Sequence, residues 1–180
     1  MIIPKNLKFP RDRDCFVLFK GDAYPVSVSQ NMLNSGWQGG QGVRWVDSSK
    51  EEFLVDYSDG IYGGFLLWGS NETADALTSM YGWQLTYNTA IFCAGGWLIA
   101  TRTVELYTYA SRHSAGPLVP ITYRVGERVL FSSRGFWTNE SEWEQQVPPD
   151  PRGVNGFYIG SVVQAPSADN GYFIVLQTSI

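Results

Sequence analysis

From Phe16 onward, hydrophobic positions recur mainly at every second residue, the spacing of half-buried β-strands. In FVLFKGDAYPVSVSQ an apolar run from Phe16 to Phe19 meets a Lys-Gly-Asp turn, and Tyr24, Val26 and Val28 then alternate with Pro25, Ser27 and Ser29. This predicts a hairpin. Pro25 places its second strand at a sheet edge, because proline has no N–H to give to a ladder. Residues 34–42, NSGWQGGQG, hold four glycines and read as a loop. RWVD, EEFLVDY and IYGGFLLWG follow as short strands, separated by turn chemistry at Asp47-Ser-Ser and Ser58-Asp59-Gly60.

Helical spacing surfaces once. Ala74, Leu77 and Met80 recur at that period, Ser70 or Asn71 can cap the start, Glu72 and Asp75 suit a helix N-terminus, and Gly82 can end it, which predicts a helix over about 71–81. Beyond it the strand signal returns in WQLTYNTAIF and WLIATRTVELYTY, broken at Ala94-Gly95-Gly96. SRHSAGPLVP, residues 111–120, is a connection and the place where the domain would divide if it divides. ITYRVGERVLFSS and RGFWTNE continue the strands. A Pro-rich loop, SEWEQQVPPDPRGVNG, then leads to GFYIGSVVQAPSADNGYFIVLQTSI, where Asp169-Asn170-Gly171 is the turn between two strands. The sum is a mostly β chain, a small β-barrel or β-sandwich with at most one short helix.

Composition sharpens this picture. Among 180 residues, 44% are hydrophobic and 15% aromatic but only 17% charged, below the usual quarter, so the surface is sparsely charged in the manner of large protein interfaces. The net charge of −4 gives no sign of a nucleic-acid partner. Its distribution matters more: Lys5, Lys8, Arg11, Arg13 and Lys20 against Asp12 and Asp14 make residues 1–20 a basic arm of +3, ahead of a β-rich domain over 21–180 carrying −7. Such an arm suits an acidic partner or a solvated tail. No stretch has the apolar core of a signal peptide or the length of a membrane span, so synthesis in a cytoplasm and no membrane partner are expected.

Candidate chemistry is thin. His113 is the single histidine and lies in a polar loop, while Cys15 and Cys93 sit in apolar surroundings as buried thiols, so neither a nucleophile–base pair nor a metal site is expected. GWQGGQG has the glycines of a phosphate cradle without the Lys-Ser/Thr behind it; a flexible or close-packed loop fits better. Asp56 with Asp59, and Glu140, Glu142 and Glu144 beside Trp137 and Trp143, are the carboxylates that a sugar-cleaving cleft would use, although acidic residues in such loops are usually solvated. Asn71-Glu72-Thr73 and Asn139-Glu140-Ser141 match the glycosylation sequon and read as chance matches. No enzyme and no cofactor are expected.

The second half carries an order of elements. Tyr123, Val125, Gly126, Glu127 and Val129 lead into a strand, Gly135 turns it, Thr138 and Asn139 follow, and Ile159, Gly160, Val162, Val163, Pro166, Gly171 and Tyr172 mark the closing pair. Over residues 97–180 this resembles the small capsid decoration, or cement, proteins of tailed bacteriophages. The resemblance implies a β-tulip-like fold and a structural virion protein on the outer capsid surface, a homotrimer that clamps subunits of the major capsid protein. Lys5, Lys8, Phe9, Arg11 and Arg13 are then the candidate capsid contacts, drawn from their charge contrast. Tyr123, Gly126, Glu127, Gly135, Thr138, Asn139, Gly160 and Gly171 are the fold-motif residues. The alternative is a tail- or fibre-associated virion protein that binds host glycans through exposed aromatic residues, which would show an aromatic groove.

Overall fold

The computed structural model describes residues 15–18, 21–46, 53–58, 63–70, 89–109, 118–139 and 158–178. The arm residues Lys5, Lys8, Phe9, Arg11 and Arg13, the helix expected over 71–81, His113 and the carboxylates of 140–144 lie outside them.

The chain is mostly β, as expected. Strands β2 (Ala23–Val28), β3 (Gly42–Trp45), β4 (Leu54–Tyr57), β5 (Gly64–Leu66) and β6 (Thr89–Cys93) close into a five-stranded barrel in the order β2-β4-β3-β5-β6. A second sheet has the order β1-β7-β13-β12-β10-β11, from β1 (Cys15–Val17), β7 (Leu98–Thr101), β10 (Arg128–Phe131), β11 (Trp137–Thr138), β12 (Gly160–Gln164) and β13 (Ile174–Thr178). This sheet curls: Val104, just beyond β7, bridges Trp137 of the far strand, and Trp137 N donates to Thr103 O while Glu105 N donates to Trp137 O. A short ribbon pairs β8 (Tyr107–Tyr109), the end of an expected strand, with β9 (Leu118–Pro120), which lies inside the segment read as a connection.

The first expected hairpin does not form. β1 pairs with β7 and β2 with β6, in one antiparallel register that runs without a slip from Cys15↔Thr101 and Val17↔Ile99 to Ala23↔Cys93 and Ser27↔Thr89. Gly21 N donates to Gly95 O at 3.2 Å, and Ala94 N to Asp22 O at 3.1 Å, so Gly21-Asp22 and Ala94-Gly95 face each other between the two pairings. This bent ribbon belongs to both sheets and ties them together. Pro25 is likewise not on an edge strand, since β2 pairs with β6 on one side and with β4 on the other. Pro25 is tolerated because the β4 pairing begins only at Ser27.

Alternation is obscured where strands are buried on both faces. In β6, Ala90 and Phe92 point into the barrel with Val26, Val43 and Val55, whereas Ile91 and Cys93 join a larger core with Ile99, Val129, Phe131, Trp137, Ile174 and Leu176. That larger core is shared by the barrel wall and the curled sheet. In β10, Val129 and Phe131 face this core, but Leu130 on the opposite face and Ser132 just beyond the strand are buried too. Both cysteines are buried and unbridged, as expected.

The described helix is α1 (Gln30–Ser35), which sequence reading assigned partly to the glycine loop. Ser29 caps it by accepting from Met32 N, and Met32 is buried in the barrel core. Six residues show too little periodicity for the helical signal to stand out. The closing turn is as expected: Asn170 accepts from Ser167 N and donates to Ala165 O and Phe173 O, pinning the loop between β12 and β13.

Candidate functional site

The glycine-rich loop 36–42 is close-packed and lodges in the seam between barrel and sheet. Gly40 (φ +88°) leaves no room for a Cβ, which would fall 2.0 Å from Thr101 Oγ1. Thr101 Oγ1 donates to Gly39 O, Gln41 Nε2 donates to Arg134 O at 2.6 Å, Gly42 N donates to Gly135 O at 2.7 Å, and Trp137 Nε1 donates to Gly40 O.

Where this seam reaches solvent it opens into a cleft of about 520 Å³. It is lined by Asn31, Ser35, Trp37, Gln38 and Gln41 from α1 and the loop after it, by Tyr57 and Ser70, and by Ser133, Arg134 and Phe136 of the β10–β11 turn. Its shape is fixed by internal hydrogen bonds. Tyr57 Oη donates to Gly36 O, Ser70 N to Trp37 O at 2.8 Å, and Gln38 N to Gln41 Oε1 at 3.0 Å. Arg134 reaches Glu105 at 3.1 Å and lies 5.0 Å above the Phe136 ring, so its charge is matched. GWQGGQG, read as a loop, supplies part of the lining of this cleft, but nothing in the sequence marked its meeting with Tyr57 and Phe136, which are far from it in the chain.

A second feature covers the barrel mouth. Trp45 stacks on Tyr24 (6.3 Å between centroids, 7° between planes) and packs on Phe92 at 4.8 Å, with the Phe53 ring edge-on to both Trp45 and Tyr24. Trp45 and Phe53 remain 40% and 55% exposed. Phe53 has φ +64°, a left-handed backbone that bulky residues avoid.

The fold-motif residues divide between two tasks. Tyr123, Gly126, Glu127, Thr138 and Asn139 gather around one hub: Tyr123 Oη donates to Glu105 O at 2.6 Å, and Asn139 Nδ2 donates to Thr122 O and to Glu127 Oε1, while Glu127 Oε2 accepts from Arg124 N. Gly126 takes the turn with φ +85°. Gly135, Gly160 and Gly171 serve elsewhere. Gly135 sits in the seam, Gly160 allows β12 to approach Gln177 O, where a Cβ would be 2.3 Å away, and Gly171 ends the 3-10 turn before β13. Asn139 is buried with its amide nitrogen engaged, so its sequon is not open to modification in the folded chain. Asp56 is also structural, its Oδ1 accepting from Ser29 Oγ and Tyr57 N. Its expected partner Asp59 lies outside the described residues.

Comparison with known proteins identifies no relative. No family model, curated protein or solved structure matches this chain. The geometry therefore stands by itself: a polar cleft, an aromatic cap and a hydrogen-bonded hub.

The hub predicts a pH dependence. Burial pushes the Tyr123 phenol well above its ordinary value, Glu105 and Glu127 push it the same way, and the Thr138 hydroxyl opposes them. The folded chain thus holds this proton more tightly than the unfolded chain does. That stabilisation is complete below the ordinary tyrosine value of about 10 and is lost as the pH rises above it. Tyr123→Phe should flatten the alkaline decline in urea-unfolding free energy while costing about 1–2 kcal/mol at neutral pH, since Glu105 O loses its donor. An unchanged alkaline slope would assign the decline to other groups.

Proposed function

We propose that this protein is a non-catalytic structural component of a tailed-phage virion that binds the outside of the head and bridges subunits of the major capsid protein. The observation that carries this reading is the aromatic cap of Tyr24, Trp45 and Phe53, held partly exposed at the barrel mouth. Exposed Trp and Tyr rings in a sparsely charged surface are the anchors that protein interfaces favour. The left-handed Phe53 points the same way, because backbone strain persists where its position has a use. The resemblance over residues 97–180 supplies the partner, and the hub built from its motif residues supports a scaffold role for that half.

Co-sedimentation with expanded heads that lack the protein tests the reading. The protein should saturate the heads at a fixed ratio, and its solution mass should be that of a trimer. Phe53→Gly should weaken head binding at least roughly tenfold. Its stability should change by less than about 1 kcal/mol, because the left-handed cost of roughly 1–2 kcal/mol that it relieves offsets the lost ring contacts and glycine's extra unfolded freedom. Charge reversal at Lys5, Lys8, Arg11 and Arg13 should abolish binding if the arm is a second contact. A protein that stays in the supernatant in every condition would end the head-binding reading.

A further inference from the structure

We propose that the cleft between the barrel and the β10–β11 turn is a binding site for a neutral saccharide. Its volume, about 520 Å³, lies inside the range of roughly 300–1,000 Å³ typical of small-molecule sites. Its lining combines aromatic residues (Tyr57, Phe136 and the mostly buried Trp37) with uncharged carboxamides and hydroxyls, among them Asn31, Gln38 and Ser70. This pairing suits a molecule with an apolar ring face and a rim of hydroxyls. Among the described residues Arg134 is the only charged one lining it, and that charge is matched by Glu105 and directed over Phe136. An anionic ligand therefore meets no unmatched cation among the described residues.

The main chain argues against a peptide. An extended peptide needs a row of unpaired backbone groups, yet Gly36 O, Trp37 O, Trp37 N, Gln38 N and Arg134 O are all engaged within the protein. Recognition falls instead to side chains on a preformed wall, which suits a ligand recognised through its hydroxyl groups. The bonds that lock Gly36, Trp37 and Gln41 in place also mean that little ordering is left to occur on binding.

The test uses the purified full chain and is independent of head binding. Saturation-transfer NMR would be run with neutral oligosaccharides of glucose, galactose, mannose and N-acetylglucosamine, with sialyllactose and a random peptide library as contrasts. At least one neutral oligosaccharide should bind. Gln38→Ala, which removes an exposed carboxamide, and Ser35→Trp, which fills the cleft from an exposed position, should each weaken its Kd by roughly tenfold or more without moving Tm. The two variants act by different means, so a folding defect in one leaves the other decisive. Absence of binding by every neutral oligosaccharide, binding unaffected by both variants, or binding confined to sialyllactose or peptides would overturn the proposal.

Discussion

Replacing Trp137 by alanine is expected to destabilise the fold by about 5 kcal/mol, enough to leave a domain of ordinary stability largely unfolded at 37 °C. Trp137 is completely buried, packs edge-on against Phe131 at 5.0 Å, and lies in the core shared by the barrel wall and the curled sheet. Truncation removes that ring, a loss of roughly 3–5 kcal/mol. It also strips Gly40 O of the indole donor in a buried seam, at a further cost of about 1–3 kcal/mol. Trp137→Phe separates the two effects, keeping most of the apolar volume while losing the donor, and should cost about 2 kcal/mol. Urea unfolding of both variants measures this. Equal losses would mean that the hydrogen bond to the glycine loop, which both variants lose, accounts for the effect and the ring packing contributes little; a negligible loss in Trp137→Phe would mean the reverse.

Gly135→Ala should be nearly as damaging, at more than about 3 kcal/mol. Two terms act there. Gly135 has φ +76°, which costs an alanine roughly 1–2 kcal/mol, and the added Cβ would lie 2.2 Å from Gly42 O, a backbone atom that cannot swing aside. Relief requires the seam to open, straining the Gly42 N–Gly135 O and Gln41–Arg134 bonds together. Gly126→Ala is the control. Gly126 is equally left-handed at φ +85°, yet nothing lies within 4 Å of its would-be Cβ, so it should cost only the conformational term of roughly 1–2 kcal/mol. The difference between the two glycines isolates the contribution of close packing between barrel and sheet. If they cost the same, the seam yields more readily than its geometry implies. Because Arg134 and Phe136 flank Gly135, an opened seam should also remove saccharide binding in the cleft.

The hub shows how much local sequence can carry. Gly126 and Glu127 were legible as a turn into a strand, and Arg134-Gly135 as the turn into the next, because turn chemistry and two-residue alternation act over a few neighbours. That Tyr123 would reach Glu105 and Asn139 would reach Glu127 was not legible, since those contacts depend on how β10, β11 and the 103–105 segment come together.

The sequence by itself determined the β character of the chain, the buried thiols, the presence of the glycine loop and the turns at Gly126, Gly135 and Gly171, all properties of short-range sterics and hydrophobic spacing. Only the tertiary structure decided partners. Phe16 and Val26 read as one hairpin, yet they pair with Ala100 and Ala90, far along the chain. Alternation states which face of a strand is apolar but carries nothing about which other strand will cover it. The same limit hid the cleft and the aromatic cap, whose side chains converge from separate elements only after the bent ribbon has joined the barrel to the sheet.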